Sequence, residues 1–593
     1  MLGGLAVCLI LLLAHAAHYN FLTDDAFISF RYARNLAEGY GLVFNPGFER
    51  VEGYTNLSWV LWLAAGYAIG IAPELSASIL SVTATVALWA VLARFVWRQR
   101  PDGNRAYLIL IPLLLFGLTR SVAVWSTSGL ETRLFELLVV AGALRLIHED
   151  GELQRGIARV HPLAAVLFAL ASLTRPDGVL IAACALGAVG VLRWRETTAR
   201  LGWAVRSLAI CGGIVAAHYL FRRAYYGEWL PNTYYAKVDG RTWWSMGGRY
   251  LASFGLEYAV YLWLPFVVAA LWFHKKRTTL VTPLVFGAVI IPHAVYVASI
   301  GGDHFEYRPL DLYFPLAYLL LFDGVRHLAR SPRSTGWTIA GVAVVAIGIV
   351  ELPYRSNAQF VETYVHGYPG MRIGKTASAE EFLDPGRSAF YRWPLLRKLA
   401  EEHRELIRET TKHFVGIRQE EHALFLGTVI PEARRLQNLI ARGVIPPDTY
   451  VAMDSVGAIP YYTNLRVLDR LGLTDATVAH SPFVRELAAH GKRATWDDAR
   501  ERGVDLWADN PVHLLLESGD PGFRRRIEGL YSKERERHFA SVDDTHVLVA
   551  WLPQGIDNAR RRFPRLDFRS THDLAAIRGA AGTALPGTEP PGE

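Results

Sequence analysis

The sequence predicts a polytopic α-helical membrane protein that carries a C-terminal soluble α/β or α+β domain. Apolar residues make up 51% of its 593 residues and charged residues only 20%, below the ~25% that is typical of soluble proteins. The apolar residues fall in long blocks as far as about Val350, whereas the chain from Glu351 onward has no apolar run of membrane-spanning length. This pattern excludes a soluble enzyme, a disordered chain and a fibrous protein.

Eleven apolar blocks are predicted to cross the membrane. The first, Leu2–Ala17, is interpreted as a transmembrane helix rather than a signal peptide, because no basic region precedes it and no A-x-A site precedes Tyr19. The other ten are Leu75–Val96, Ala106–Leu118, Leu130–Ile147, Pro162–Leu173, Val179–Leu192, Leu201–Phe221, Tyr258–Phe273, Leu280–Ile300, Pro309–Val325 and Thr335–Val350. The block Leu57–Ile71 is predicted to lie in the outer interface or to re-enter the membrane without crossing it.

Five clusters of basic residues set the predicted sidedness, because Lys and Arg accumulate in cytoplasmic loops. They are Arg98/Arg100/Arg105, Arg155/Arg159, Arg193/Arg195/Arg200, Lys275/Lys276/Arg277 and Arg326/Arg330/Arg333. All five lie on one side of the membrane only if Leu57–Ile71 does not cross. The N-terminus and the clusters are then cytoplasmic, and the region after Glu351 is exoplasmic. The net charge of +7 belongs to these loops, so no nucleic-acid partner is predicted.

The predicted domains are a transmembrane domain, residues 1–350, a soluble domain, residues 351–570, and a disordered tail, residues 571–593, rich in Gly, Pro and Ala. An amphipathic helix is predicted over Trp393–Arg442. Short strands are predicted at Thr449–Asp454, Arg466–Asp475, Val504–Asn510 and His546–Pro553. Helices that alternate with short strands indicate a small α/β or α+β domain.

The first predicted outer loop, residues 20–56, holds the most informative stretch. Thr23 and Asp24 suit the start of a helix, where a carboxylate complements the helix dipole, and Gly39 suits its end. Apolar residues at every third or fourth position predict that this helix lies on the outer membrane surface. The pair Asp24–Asp25 is therefore open to two interpretations, a helix cap or a catalytic site.

The catalytic interpretation rests on the chemistry of sugar transfer. Transfer from a lipid phosphate needs a base for the acceptor hydroxyl and cations for the departing phosphate. Cations in the predicted outer loops are Arg31, Arg120, Arg175, Lys237, His304 and Arg308. The sequence has no nucleotide-binding loop and no HExxH or clustered Cys/His spacing. No metal site is therefore predicted, although a divalent cation at Asp24–Asp25 stays open.

The segment TDDAFISFRYARNLAEGYGLVFNPG, followed by ERVEGYTN, resembles the first-loop signature of the GT-C integral membrane glycosyltransferases. The nearest group contains the terminal β-(1→2) arabinofuranosyltransferase of mycobacterial cell walls. The matching positions are Asp24–Asp25, Arg34–Ala37, Phe44–Gly47 and Glu49–Thr55. Phe48, which lengthens the spacing after Gly47, and the GYTN form depart from the mycobacterial pattern. These departures concern the sugar and the acceptor more than the reaction type.

Four later segments resemble blocks of the same wider family, so the resemblance spans roughly residues 20–475. They are TRPDGVL (Thr174–Leu180), NTYYAK (Asn232–Lys237), GGDHFEYRPL (Gly301–Leu310) and DSVGAIPYYTNLRVLDRLGLTD (Asp454–Asp475). The resemblance implies a GT-C-like fold, a polyprenyl-phosphate sugar donor, an envelope glycan acceptor and an inverting displacement on the exoplasmic face. It also implies that an acid of the first loop is the base, and we place Asp24 ahead of Asp25.

Ten further residues are candidates for substrate binding. For the donor phosphate they are Arg31, Arg175, Lys237, His304 and Arg308, and for sugar or acceptor hydroxyls they are Glu49, Glu52, Tyr54, Tyr235 and Glu306. Structural alternatives stay open: turn capping for Glu49 and Glu52, a membrane-edge position for Arg175, an interfacial aromatic belt around Lys237, and a solvated loop for the GGDHFEYRPL segment. Residues interpreted as turn residues are Asp454 and Asp469.

The predicted function is that of a glycosyltransferase, a hexosyl- or pentosyltransferase for which the nearest group suggests arabinofuranose, multi-pass in a bacterial cell membrane. The alternative is a non-enzymatic membrane protein, either a lipid-linked glycan transporter or a factor in envelope or motility assembly. A proton-coupled transporter carries ionisable residues at mid-membrane, whereas this sequence places its charges at the predicted outer rim. That difference favours the enzyme. Its predicted partners are the polyprenyl-phosphate sugar donor, the envelope glycan acceptor and membrane lipids.

Overall fold

The computed structural model describes residues 1–157, 159–193, 198–274, 280–364, 390–508, 513–517 and 536–570. Two compact units divide the chain. The helical unit comprises Met1–Thr23, Tyr54–Pro231 and Val238–Ala423, and the sheet unit comprises Asp24–Gly53, Asn232–Lys237 and Leu424–Glu593. Most of the first predicted outer loop and the NTYYAK segment thus belong to the same unit as the C-terminal domain. The predicted tail, 571–593, the cluster Lys275/Lys276/Arg277 and Arg195 lie outside the described residues.

Helices dominate the chain as far as residue 364. In chain order they are α1 (Leu2–His18), α2 (Asp24–Ala37), α3 (Leu57–Ala68), α4 (Pro73–Arg98), α5 (Leu110–Leu118), α6 (Arg120–Trp125), α7 (Thr132–Gln154), α8 (Leu163–Thr174), α9 (Asp177–Arg193), α10 (Thr198–Tyr226), α11 (Asn232–Lys237), α12 (Trp244–Glu257), α13 (Leu264–Phe273), α14 (Val281–Ser299), α15 (Tyr313–Leu328) and α16 (Pro332–Tyr364). Each of the eleven predicted blocks overlaps a helix of this series.

Four of these helices are long and apolar enough to cross a membrane by length and composition. They are α4, the part of α10 over Leu201–Tyr226, α14, and the part of α16 over Pro332–Pro353. The fold is therefore that of a helical membrane protein, and the number of eleven crossings stays a prediction. The ambiguous block Leu57–Ile71 forms α3, whose 12 residues are fewer than the ~20 that a straight crossing needs.

Two glycines allow neighbouring helices of the helical unit to pack closely. A Cβ at Gly324 of α15 would overlap the backbone carbonyl of Phe266 in α13. A Cβ at Gly178 of α9 would lie 2.7 Å from backbone atoms of Ala171 and Ser172 in α8. Only the absence of a side chain permits these approaches, so the packing of both helix pairs depends on glycine at these positions.

Among the described residues after 390, six α-helical segments are present. They are α17 (Pro394–Lys412), α18 (Gln419–Ala441), α19 (Ala458–Thr463), α20 (Ala476–Ala479), α21 (Trp496–Glu501) and α22 (Ile556–Arg562). The single helix predicted over Trp393–Arg442 is wrong, because the chain breaks into α17 and α18. Phe414 and Gly416, between the two helices, have positive φ angles of 59° and 73°, which a right-handed helix does not accommodate.

The sheet unit is built around a mixed seven-stranded sheet of order β2-β1-β3-β6-β5-β7, with β4 also paired to β6. The strands are β1 (Tyr450–Met453), β2 (Arg466–Asp469), β3 (Leu506–Ala508), β4 (Leu515–Glu517), β5 (His538–Ser541), β6 (His546–Trp551) and β7 (Arg569–Ser570). β1 pairs in parallel with β2 and β3, and the other pairings are antiparallel. The four predicted strands correspond to β1, β2, β3 and β6, whereas β4, β5 and β7 were not predicted.

Helix α2 begins at Asp24 as the sequence predicts, but its apolar face does not lie on the membrane surface. The Phe27 ring packs 5.4 Å from the ring of Tyr461 and 5.6 Å from that of Tyr462, and the Phe30 ring lies 6.1 Å from Tyr461. The surface-helix prediction is wrong in this respect, because amphipathic spacing identifies a face that needs an apolar partner without saying whether lipid or protein supplies it.

Candidate active site

Asp24, the first residue of α2, is buried, and its carboxylate accepts two hydrogen bonds within the sheet unit. The Ser455 hydroxyl donates to Oδ2 at 2.8 Å, and the backbone N–H of Ala458 donates to Oδ1 at 2.8 Å. Ala458 is the first residue of α19, so Asp24 satisfies a donor at the start of a neighbouring helix. Burial raises the pKa of Asp24 to about 6. This geometry joins α2 to the DSVGAIP segment.

Gly457 makes the contact with Asp24 sterically feasible. A Cβ at this position would overlap both the backbone carbonyl and the carboxylate of Asp24. Any larger residue would therefore push the start of α19 away from the start of α2. The glycine of the DSVGAIP segment is therefore required by this close approach.

Asp25, the next residue of α2, is half-buried and differs from Asp24 in its contacts. Among the described residues, its carboxylate accepts no hydrogen bond and forms no ion pair. A carboxylate that makes no such contact keeps its lone pairs available for a substrate proton. The two adjacent acids, of which the sequence analysis placed Asp24 first, thus have different environments.

The charged groups near His490 in the sheet unit carry both signs of charge. Burial lowers the pKa of His490, the nearby carboxylates of Asp454 and Asp25 raise it, and the nearby ammonium of Lys237 lowers it. One residue each from α2, the NTYYAK segment and the C-terminal domain therefore lies near enough to His490 to affect its charge. We call Asp25, Lys237, Asp454 and His490 the Asp25 cluster.

Asp454, which the sequence predicts to be a turn residue, forms ion pairs with two arginines. Arg470 Nε donates to its Oδ1 at 2.5 Å, and an Arg493 guanidinium nitrogen donates to its Oδ2 at 2.9 Å. Asp469 does serve a turn, because its carboxylate accepts hydrogen bonds from the backbone N–H groups of Leu471, Gly472 and Thr474. Burial raises the pKa of Asp469 to about 7.

Lys237 ends α11, and its side chain is exposed. Among the described residues it forms no hydrogen bond or ion pair. Asn232, at the start of α11, fixes the segment by donating to the carbonyls of Gly472 at 2.7 Å and Leu473 at 3.0 Å. The Tyr235 ring lies 4.4 Å from the ring of His480 at an angle of 30°. The segment therefore presents an unpaired cation on an anchored helix.

Arg31 is buried in α2 and binds the protein itself. Its Nε donates to the carbonyl of Phe44 at 2.8 Å, and a terminal nitrogen donates to the carbonyl of Leu465 at 3.0 Å. The guanidinium carbon lies 4.4 Å from the centre of the Phe44 ring. Burial lowers the pKa of Arg31 to about 9. These contacts favour a structural role over the predicted phosphate-binding role.

The three candidates at the end of the first predicted outer loop lie in different surroundings. Glu49 is exposed, whereas Glu52 is buried, and the Glu52 backbone carbonyl accepts a hydrogen bond from Asn232 at 3.1 Å. Tyr54 belongs to the helical unit, where its hydroxyl lies 3.0 Å from the hydroxyl of Tyr226. The three predicted sugar ligands therefore differ in exposure and in their contacts.

Within the helical unit, Arg175 forms ion pairs with two carboxylates. It lies 3.3 Å from Glu131 and 3.1 Å from Asp177, and Asp177 also bonds His293 at 2.9 Å. Asp303 is close enough to Arg175 to contribute to its electrostatic environment. The TRPDGVL and GGDHFEYRPL segments therefore contribute to one charged group.

The ionisable residues of the GGDHFEYRPL segment differ in their burial. Arg308 Nε pairs with Asp303 at 3.2 Å, and its guanidinium carbon lies 4.4 Å from the centre of the Phe305 ring. His304 Nδ1 lies 2.9 Å from the carbonyl of Phe414, and its ring lies 5.3 Å from the ring of His422. Arg308 and His304 are half-buried, so they stay the more accessible candidates of this segment.

Glu306 and Arg120 take part in a buried ion network. Arg120 binds Glu306 at 2.5 Å and Glu420 at 2.9 Å, while Arg418 binds Glu306 at 3.0 Å and Glu257 at 2.6 Å. Both oxygens of Glu306 accept hydrogen bonds from guanidinium groups. A structural ion network explains Glu306 better than the predicted sugar contact does.

Sequence reasoning missed Ser455, Arg418 and His490. Ser455 lies in the segment Asp454–Asp475 that resembles the wider family, but it was not predicted as a site residue. A serine and a glycine before Ala458 are nevertheless a helix-start signal. Arg418 stands beside a run of polar residues that resembles a solvated helix surface, and nothing local marks it as buried. Among the described residues, no group of three or more His, Cys, Asp or Glu side chains has a geometry that holds a metal ion.

Comparison with known proteins finds related sequences over about half of the chain. The chain is 29% identical over 350 residues to the terminal β-(1→2)-arabinofuranosyltransferase of Corynebacterium glutamicum, with 51% of this chain and 47% of that protein covered. It is 29% identical over 308 residues to the protein of the same name from Mycobacterium tuberculosis, with 48% and 47% covered. The alignments thus span about half the length of these curated relatives.

Two solved structures match most of the chain, and a family model matches a segment of its C-terminal region. ArnT from Cupriavidus metallidurans bound to undecaprenyl phosphate has a TM-score of 0.51 at 14% identity, over 93% of this chain and 97% of that one. Its apo state gives 0.52 at 15% identity with the same coverage. A family model described as a domain of unknown function, DUF8728, matches residues 428–549. The likeness to ArnT confirms the predicted GT-C-like fold.

Proposed function

We propose that this protein is a membrane glycosyltransferase that moves a sugar from a polyprenyl-phosphate donor to a cell-envelope glycan. The likeness to the two arabinofuranosyltransferases supports transfer of a sugar, with arabinofuranose as the first sugar to test. The likeness to a structure that holds undecaprenyl phosphate supports a polyprenyl-phosphate donor. At the level of residues, the half-buried Asp25 carboxylate, which accepts no hydrogen bond among the described residues, carries the proposal.

Asp25, rather than Asp24, is the proposed base. A base must approach the acceptor hydroxyl with a lone pair that no protein donor occupies. Asp24 is buried and accepts hydrogen bonds from Ser455 and Ala458, whereas Asp25 accepts none among the described residues. Asp24 is then a positioning residue that fixes the start of α2, and the preference between the two acids is the reverse of the one drawn from the sequence.

The proposed reaction is a single displacement with inversion. The acceptor oxygen attacks the anomeric carbon and forms the new C–O bond, its proton passes to Asp25, and the bond from the anomeric carbon to the phosphate oxygen breaks. The phosphate oxygen keeps the electron pair, so it gains negative charge. Lys237 is the proposed partner for that charge, because it is an exposed ammonium in the Asp25 cluster and a cation stabilises a departing phosphate. His304, Arg308 and Arg175 stay separate candidates for donor binding.

Replacement of Asp25 by Asn tests the base. Asn keeps the size and much of the helix-start preference of Asp, but it cannot accept the proton. We expect Asp25→Asn to melt like the wild type, to bind the lipid donor, and to lose transfer by roughly 10²- to 10⁴-fold. The assay is transfer of radiolabelled sugar from polyprenyl phosphate to an envelope glycan.

Asp24→Asn is the matched control, because it makes the same chemical change one residue away. If Asp24 only positions α2, this variant lowers the melting temperature while it keeps most of the turnover per folded molecule. Near-normal transfer by Asp25→Asn would end the assignment of the base. Normal transfer by both variants would remove both acids from catalysis, whereas absence of transfer by the folded wild type would favour the non-enzymatic alternative.

The proposal includes an outer-face site, eleven crossings and an exoplasmic C-terminal domain. The distribution of basic clusters supports this orientation. A reporter that is active only in the cytoplasm, fused after Ser570, should stay inactive, and the same reporter fused after Arg100 should be active. Activity after Ser570 would contradict the orientation.

A further inference from the structure

A groove of about 510 Å³ lies between α4 and α7 of the helical unit, and none of its lining residues is among those proposed for sugar transfer. Each helix contributes apolar residues from its interior and basic residues from its C-terminal end. On α4 the lining residues run from Val91 to Gln99, and on α7 they run from Ala141 to Arg155, just beyond the helix. The basic clusters place both C-terminal ends on the same side of the membrane, so the basic residues of the two helices converge.

Three arginines of this groove have little or no charge compensation. Arg94 and Arg98, one turn apart on α4, are exposed and form no hydrogen bond or ion pair among the described residues. Arg155 is also exposed, and its Nε donates only to the carbonyl of Gly151 at 3.1 Å in the adjoining helix. These guanidinium groups therefore keep most of their donors for a ligand.

The acids beside the groove do not neutralise it. Glu149 and Glu152 pair with Arg145 at 3.0 and 3.1 Å, and His148 lies 3.6 Å from Glu152. Four lining arginines against these two carboxylates give a local charge of 4 − 2 = +2 with His148 neutral. Asp150, on the same helix, does not line the groove. The basic end is thus complementary to an anion.

The other part of the groove is apolar. Phe95 of α4 and Leu144 and Ile147 of α7 line it. At Gly151, a Cβ would meet no atom within 4 Å, so the wall is open where the apolar and basic parts meet. A groove with an apolar part and a basic part matches a molecule that has an apolar chain and an anionic head.

We propose that this groove binds a membrane phospholipid with a net-negative headgroup, with the phosphate at Arg94, Arg98 and Arg155 and an acyl chain along Phe95 and Leu144. A free inorganic anion would contact only the charges and would leave the apolar wall without a partner. The site does not depend on the proposed glycosyl transfer, because none of its residues belongs to the Asp25 cluster.

Lipid binding to the full-length protein tests this site. The purified protein in neutral detergent is titrated with dioleoyl phosphatidylglycerol or dioleoyl phosphatidylcholine, and bound lipid is counted by native mass spectrometry. We expect the wild type to prefer phosphatidylglycerol. The double variant Arg94→Gln/Arg98→Gln should lose roughly 30-fold in affinity, since each basic residue near an anionic headgroup contributes about fivefold.

Arg100→Gln is the matched control, because it removes one positive charge at the same helix end from a residue that does not line the groove. Arg100 is exposed and lies over the ring of Trp97, and its removal should change the affinity less than twofold. Ala141→Trp, which fills the apolar part, should weaken phosphatidylglycerol binding while it leaves every charge in place. Melting curves check that each variant is folded.

Three results would overturn the proposal. They are equal affinity for the two lipids, unchanged phosphatidylglycerol binding in the double variant, and complete displacement of the lipid by millimolar inorganic phosphate. The last result would show that the charges alone bind the ligand and that the apolar wall contributes nothing.

Discussion

The two units of this protein use their charged residues in different ways. In the helical unit, Glu306 lies between Arg120 and Arg418, and all three are buried. In the sheet unit, Asp25 and Lys237 are at least partly accessible and form no hydrogen bond or ion pair among the described residues. A paired, buried charge has used its hydrogen-bonding capacity on the fold, whereas an unpaired one keeps that capacity for a ligand. The type of residue therefore says less about function than its partners do.

Arg418→Met should produce the largest change in the free energy of unfolding. It removes one guanidinium from both Glu257 and Glu306 and leaves these buried carboxylates short of donors. Loss of one partner of a buried ion pair costs about 3–5 kcal/mol. The measurement is denaturant-induced unfolding in detergent. Lys237→Met, the control, should stay within about 0.5 kcal/mol of the wild type, and equal stability of the two variants would contradict the comparison.

The titration of Asp24 should give the next largest effect. Its pKa of about 6 in the folded protein lies above the ~3.9 of an unfolded aspartate. Between these values the folded protein keeps a proton that the unfolded chain releases, so the contribution of Asp24 to stability is greatest below about pH 4 and is lost as the pH rises through about 6. The two-unit difference corresponds to at most about 3 kcal/mol.

Asp24→Asn removes this titration while other groups keep theirs. As the pH rises from about 4 to about 6, the free energy of unfolding of the wild type should therefore fall relative to that of this variant. Parallel unfolding curves at a series of pH values measure it. A difference that does not vary with pH would show that the Asp24 carboxylate is not buried as the structure has it.

Lys237 and Arg308 should differ in their effect on donor use. Lys237→Ala should raise the KM for the lipid donor or lower kcat by roughly 10- to 150-fold in kcat/KM, since a charge-assisted hydrogen bond is worth about 1.5–3 kcal/mol. Arg308 already shares its guanidinium with Asp303, so Arg308→Ala should cost less, and Arg308→Lys should restore part of the loss.

Steady-state kinetics with donor and acceptor varied separately distinguish the two residues. A larger loss in Arg308→Ala than in Lys237→Ala would mean that the donor phosphate lies at the GGDHFEYRPL segment. In that case the paired charges of the helical unit, rather than the unpaired charges of the sheet unit, would be the ones that bind the substrate.

Local patterns predicted the elements of the fold more fully than the arrangement of the candidate site. The apolar blocks, the helix that starts at Asp24 and the strands β1, β2, β3 and β6 follow from the apolar content and spacing of neighbouring residues. The break at Gly416 and the strands β4, β5 and β7 were not predicted from such patterns. The membrane-facing prediction for α2 was wrong because Tyr461, more than 400 positions along the chain, supplies the apolar partner.

The sequence by itself determined that this protein is a helical membrane protein with a C-terminal mixed domain, and its motifs indicated a GT-C-like fold. Hydropathy and motif spacing are local properties, so they can be detected without coordinates. Only the tertiary structure decided which acid of the pair Asp24–Asp25 is bonded to Ser455 and Ala458 and which is not. The same holds for the burial of Glu306 between two arginines. These distinctions depend on contacts between segments that are far apart in the chain, and no local pattern encodes such contacts.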